Sequence, residues 1–531
     1  MRQAQKLRPR ALATAIAIGA GAALLGTAAQ GADRTFIFAY TATPASFDSD
    51  NWQAGMLEST VNIYENLTKH STVTDASGRE VLDSANVEPH MATSWDVRDG
   101  GRVITFKIRP GVKSAFGNEL SAHDVAYAWA MAADRKKTGN FMRTVGRVGS
   151  VEATADDEVT FTLTTPNAIF PRILTTVFPP LMDSKHVKEF ATEDDKWATK
   201  WMAKNTAGFG PYHVESVRPG EGAVFTLNKN YFSDEPFFNR IVFREIPSAA
   251  SRAALVKSGQ IHWADQMPIQ QLVDLTKDPN VKVDSVPGTG AATLRMNPNF
   301  PPFDDIRVRK AIIHAMDYDA VGEAVFRGLG ERSDSILAPA FGEYYTPAQT
   351  YGTDFDKARA LLSEAGHGNG LDIQLEYSDN WWWEEPLVIQ AKDSLAKVGI
   401  NVNLKRIPKA EMNSRRRAGT RDLPFFPHLA NAFVLAPGYA FYLSAHQKGS
   451  SNVNDYKSDM FDATVDELVA ETDNAKRVAL AKKAQQIHAD DATFVITHFP
   501  KTYAVTAPCI SGWLWHQHDR LVWKHLRCDE S

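Results

Sequence analysis

Three consecutive tryptophans, Trp381, Trp382 and Trp383, are the residues of this sequence best suited to hold a ligand. Adjacent side chains diverge, so three of them cannot share one core, and at least one is predicted to face solvent or a bound molecule. An indole plate suits a sugar ring, an aromatic side chain or a cation; packing between elements or a surface cap is the alternative use. Arg295 lies on a strand-like run, 292–296, where it can pair with a ligand carboxylate or phosphate, or close an internal salt bridge. Arg415, Arg416 and Arg417 read as a solvated face. His516-x-His518 with Asp519, and His525 nearby, have the spacing of a metal pair on a strand. They sit between Cys509 and Cys528 and read as surface histidines, so no metal or cofactor is expected. There is no His-Glu-x-x-His, no Gly-x-Ser-x-Gly and no phosphate-binding loop, and Gly288-Thr289-Gly290 lacks the third glycine of a dinucleotide site. The chain is read as a binder rather than an enzyme, although composition alone leaves open a secreted hydrolase with two acidic residues.

The two cysteines, Cys509 and Cys528, most simply form one disulfide in an oxidising compartment, with two unpaired thiols as the alternative. Closing that loop contributes about 3 kcal/mol in the chain-entropy view. Arg2, Lys6, Arg8 and Arg10 precede an Ala-rich apolar run and small residues near 29–32, the pattern of a cleaved signal peptide over residues 1–32. No cysteine stands at the cleavage point, so an exported, soluble protein without a lipid anchor is expected. Removing the leader takes the net charge from −5 to −9, because four basic residues and no acid leave with it. That balance argues against a nucleic-acid surface. Roughly 500 remaining residues are too many for one core and enough for two or three domains.

The elements that position these residues alternate between strand and helix. Residues 35–40 read as a strand, 58–70 as a helix followed by a polar linker, and 95–108 as a hairpin turning at Asp99-Gly100-Gly101. Ser121 caps a helix, 214–227 is a second hairpin, and 249–259 is a helix stopped by Gly259. Residues 292–329 combine a strand, a Pro-containing turn, and two helices, the first opened by the pair Asp304 and Asp305 and the second by Asp317. The run 371–407 is a βαβ pattern with the tryptophans between its first strand and its helix. Two further helices, over 455–490, precede strands at 494–498 and 502–505. The whole reads as α/β, with parallel or mixed sheets.

Several stretches together resemble one family. VEPHMATSWDVRDGGRVITFKIRPGVK, ELSAHDVAYAW, GFGPYHVESVRPGEGAVFTLNKNYF, PFDDIRVRKAIIHAMD, DKARALLSEAG and LAKVGINV occur in this order. The set is similar to the solute-binding proteins of the peptide/opine/nickel class that serve ATP-binding-cassette importers. The resemblance implies a two-lobed, Venus-flytrap fold with an extra domain elaborating the first lobe. Residues 33–291 plus 499–531 would form the first lobe, about 73–200 the extra domain, and 292–498 the second lobe, with hinges near 290–296 and 497–503. It further implies a monomer of the periplasm that encloses a peptide or peptide-like solute and delivers it to an inner-membrane permease; an opine, an oligosaccharide or a non-transport receptor role are the alternatives. Tyr40 falls where family members often contact ligand, with core packing as its other use. Asn431 falls where dipeptide binders place an aspartate for the α-amino group, and residues 371–393 lack the arginine that related proteins use for the carboxylate, with Glu384 and Glu385 appearing instead. Losing both anchors weakens the case for a free zwitterionic dipeptide.

Overall fold

The computed structural model describes residues 34–50, 55–74, 78–348, 351–378, 381–418, 421–429, 432, 434–516 and 520–529. The expected leader, Asn431, His518 and Asp519 lie outside the described residues. Arg34–Ser531 cluster as one unit.

Strand Thr35–Tyr40 alternates as a sheet strand must. Phe36, Phe38 and Tyr40 enter one apolar core, while Ala39 faces another with Val256, Ile261 and Leu272. It pairs in parallel with Arg240–Glu245 on one side and Trp263–Ala264 on the other. Antiparallel neighbours complete seven strands, with Gly222–Leu227 and Tyr212–Arg218 at one edge and Thr502–Thr506 and Lys282–Val286 at the other. Thr502–Thr506, from the far end of the chain, thus lies between two strands laid down before residue 290.

A second sheet centres on Ala292–Met296, flanked by Phe425–Leu429 and Phe494–Pro500, with Gly330–Arg332 outside. Helices Ile306–Ala315 and Tyr318–Ala324 open where their aspartates predict: Asp305 accepts from Arg307 N, and Asp317 from Ala320 N. Parallel strands Leu371–Tyr377 and Ile400–Arg406, joined through helix Glu384–Ala396, form the βαβ unit. The chain passes between the two large sheets at 287–291 and again at Lys501. The first crossing falls just ahead of the strand expected to carry it. Ala292–Met296 is buried throughout and has ladder partners on both sides, so it belongs to the second sheet.

A separate four-stranded sheet, Ala92–Arg98, Val103–Ile108, Glu158–Leu163 and Val148–Ala155 in that order, has its own core around Phe106, Trp129, Phe161 and Phe170. Helix Ala122–Arg135 covers it and starts in a capping box of Ser121 and Asp124.

The helix expected over 58–70 is corrected by the structure. Only Met56–Thr60 is helical, and Thr68–Thr74 pairs with Glu80–Pro89 in a hairpin across the stretch read as a linker. Side-chain amides favour the non-helical backbone here: Asn62 Nδ2 donates to Leu521 O at 2.9 Å and Asn66 Nδ2 to Thr175 O at 2.8 Å. Asn62 Oδ1 also accepts from Trp523 N, which seats the C-terminal loop. Cys509 and Cys528 are bonded, and Trp523, fully buried, packs on Phe38, Tyr212 and Phe225.

The loop after Thr35–Tyr40 buries two carboxylates against one guanidinium. Arg135 stands 2.6 Å from Asp48 and 3.6 Å from Asp50, whose Oδ1 also accepts from Gly139 N. Burial raises the Asp50 pKa to about 6, and Asp48 adds to this against the pull of Gly139 N, Arg135 and Lys137. A carboxyl raised in the folded state stabilises most when it is protonated, and that contribution is lost as pH rises through about 6. Asp50→Asn is therefore expected to gain on the wild type by up to about 3 kcal/mol between pH 4 and 7. Parallel denaturation series across that range check it; parallel pH curves for the two proteins would contradict the assignment.

Candidate functional site

The two large sheets approach one another through segments from both sides of the crossings. Helix Pro437–Ser444 sets Tyr439 and Tyr442 against Phe141, with ring centroids at 6.2 and 6.4 Å. Beside it Ala168 N donates to Val469 O at 3.0 Å, and Arg147 pairs with Asp466 at 2.9 Å. At the crossing itself Leu435 meets Val286, Leu82 and Trp513, so the Thr68–Pro89 hairpin touches both halves of the molecule. Sequence reading missed that hairpin. The turn-forming Asp75-Ala76-Ser77-Gly78, between Thr72-Val73-Thr74 and Glu80-Val81-Leu82, was the available signal.

The tryptophan loop follows strand Leu371–Tyr377 and is held at both ends. Glu384 is fully buried, and its carboxylate accepts from Ser378 N at 3.1 Å and Ser378 Oγ at 3.0 Å. Glu384 is thus a clamp across the loop. Trp383 is 1% exposed and belongs to the core with Leu375, Leu387 and Val388. As the residue just before helix Glu384–Ala396, it is drawn inward with the helix's apolar face. Trp381 and Trp382 remain 38% and 37% exposed. Trp382 sets its ring at 78° to Phe326, with centroids 5.8 Å apart, and Phe326 stacks on His498 of the second crossing strand.

Arg295 is likewise buried. It is 2% exposed, and its Nη1 donates to Ser451 O at 2.5 Å and Ser444 O at 3.2 Å, with the guanidinium 4.1 Å from the Phe494 ring. A cation against the last carbonyls of helix Pro437–Ser444 suits the helix dipole. The strand's alternation turns Arg295 into the protein, away from solvent. Burial first, and then Arg295, lower the His488 pKa to about 3, which keeps the neighbouring imidazole neutral. Tyr40 ends its strand 8% exposed, 5.7 Å from Phe243. Of the aromatic residues singled out from sequence, Trp381 and Trp382 present substantial surface, and among the other described residues so named Glu385 and His525 are exposed as well. No group of His, Cys, Asp and Glu among the described residues could hold a metal ion.

The sequence profile of the bacterial extracellular solute-binding proteins, family 5 middle, matches residues 86–452. The chain belongs to this family. It is 27% identical over 470 residues to the probable D,D-dipeptide-binding periplasmic protein of Escherichia coli K12, covering 87% of each chain. It is 25% identical over 521 residues to the dipeptide-binding protein of the same strain, covering 91% of this chain and 92% of that one. Among solved structures, the periplasmic binding protein DppA of Helicobacter pylori in complex with the peptide STSA superposes with a TM-score of 0.80 at 24% identity, covering 93% and 98% of the two chains. NikA of Brucella suis, in complex with Fe(III)-EDTA, gives 0.80 at 21%, covering 94% and 100%. These neighbours establish the two-lobed periplasmic binding-protein fold. In this family 5 binding protein the chain crosses between the two large sheets at 287–291 and Lys501, and a population shift between open and closed arrangements is how such a fold reports a ligand. No helix among the described residues is long and apolar enough to cross a membrane.

Proposed function

We propose that this family 5 protein captures a peptide or peptide-like solute between its lobes and passes it to an inner-membrane permease. The observation that carries the reading is the exposed Trp381–Trp382 pair on a loop clamped by Glu384. The pair offers rigid stacking surface without an arginine or aspartate anchor, which suits a side chain or ring more than a bare α-ammonium. Asn431, where dipeptide binders place an aspartate, is taken as a neutral hydrogen-bonding partner, and Tyr40 and Arg295 support the two sides of the cleft from within. The lobes are taken as 33–291 with 499–531, carrying the extra domain at about 73–200, and as 292–498. Export behind a cleaved leader and action as a monomer complete the reading. Relatives that bind dipeptides, and neighbours solved with peptides, support the solute class.

Native mass spectrometry of protein purified without denaturation tests this. A peptide-sized organic adduct is expected, released intact on denaturation and restoring thermal stabilisation when added back. An adduct of a metal chelate or haem, or a solute returned chemically altered, would overturn it.

A further inference from the structure

The first lobe contains a second cavity, of about 690 Å³, walled by residues between 61 and 90, 175 and 177, 231 and 235, 282 and 284, and 512 and 527. None of these wall residues belongs to 292–498. Its volume lies in the range of small-molecule sites.

Much of its polar wall is already engaged. Glu65 accepts from the Tyr231 hydroxyl at 2.8 Å and is paired with His90 at 2.7 Å and Lys524 at 3.2 Å. Burial opposes ionisation there, yet Lys524 and His90 hold the Glu65 carboxyl well below its usual range. This hub is scaffold. Arg79 pairs with Asp284, donates to Ser285 O at 2.7 Å and lies 5.8 Å from the Trp513 ring, which fixes the hairpin wall. Four other charged groups line the cavity without an ion-pair partner among the described residues: Lys282 and Arg527, and Glu80 and Asp234. All four are exposed. Lys282 reaches Ile510 O at 3.4 Å, and Arg527 sits opposite Ser511 in the next residue pair, so both cations belong to the C-terminal wall. Glu80 stands on the hairpin and Asp234 on the 231–235 turn, away from that pair in sequence and element.

Two cations and two carboxylates without ion-pair partners among the described residues, Glu80 also accepting from Thr72 Oγ1 at 2.6 Å, stand around one cavity and are matched by a ligand that carries both signs. Each end then gains a charge-assisted hydrogen bond. We propose that this cavity binds a small zwitterion with an ammonium and a carboxylate group, from a free amino acid to a short peptide, independently of the solute held between the lobes.

Trp513, on the cavity wall, supplies the readout. Protein labelled with 5-fluorotryptophan is titrated with diglycine and followed by ¹⁹F NMR, with the Trp513 resonance assigned through Trp513→Phe. A saturable shift of that resonance is expected, retained in the Trp381→Ala/Trp382→Ala protein. Lys282→Gln and Asp234→Asn, at exposed positions, should each weaken it about tenfold, one lost charge-assisted contact. The proposal is overturned by any of three results: no saturable shift, an equal response to acetate or ethylammonium alone, or a shift that disappears in the double tryptophan variant. None of these bears on whether the inter-lobe site takes a peptide.

Discussion

Replacing Trp381 and Trp382 together with alanine is expected to weaken solute binding about tenfold or more while leaving the melting temperature nearly unchanged. Trp383→Ala is expected to do the reverse. The first pair is more than one-third exposed, so truncation removes stacking surface that a ligand would use and little that the fold uses. Tryptophans of this kind commonly dominate binding surfaces, and a loss of about 1.4 kcal/mol already gives a tenfold change. Trp383 fills a core site at 1% exposure, where truncation of an aromatic costs about 3–5 kcal/mol through lost contacts and the cavity left behind. Calorimetric titration against the co-purified solute, beside thermal melts of each variant, separates the two effects. Unchanged affinity in the double variant would remove the loop from the site.

The second large effect concerns Arg295. Arg295→Met is expected to destabilise the protein by about 3 kcal/mol, because it leaves the carbonyls of Ser444 and Ser451 without their buried donor. Arg295→Lys should recover only part of this, since one ammonium cannot reproduce a planar fork that also lies against Phe494. Solute affinity measured well below the melting temperature should stay within about twofold of wild type for both, less than the effect of one lost hydrogen bond to a charged group. A selective loss of affinity at unchanged stability would return Arg295 to the ligand's side. The substitution also relieves the nearby positive charge that, after burial, depresses the His488 imidazole. The His488 resonances should therefore titrate at higher pH in the methionine variant.

Much of the architecture was legible because helix starts and sheet alternation are local signals. Asp305, Asp317, Asp354 and Asp473 each cap the helix that their spacing announces. The failures share a different cause. Residues 58–70 carry enough apolar periodicity to suggest a helix, and what decides against it beyond residue 60 is pairing with Glu80–Pro89 and amide bonds to carbonyls more than 100 residues away. The site follows the same division. That three adjacent tryptophans must diverge is local geometry; which of them turns inward depends on the helix that begins at Glu384. Arg295 was identifiable as unusual, but its partners at 444 and 451 are brought to it only by the second lobe's tertiary packing. Leu82 and Leu435, which join the hairpin to the second lobe, had no individual signature at all.

The position of Thr502–Thr506 between Lys282–Val286 and Trp263–Ala264 has a consequence for the order of assembly. As the chain emerges from its N-terminus, the first lobe's sheet cannot close until residues 502–506 arrive, and the loop that seats Trp523 against Phe38 follows later still. The stretch from 292 to 500, which carries the second sheet, can collapse while the first sheet waits with an unsealed edge, so long-range pairing sets the slowest step. A chain truncated before residue 502 should therefore accumulate as a species with an ordered second half and an aggregation-prone, unzipped first half.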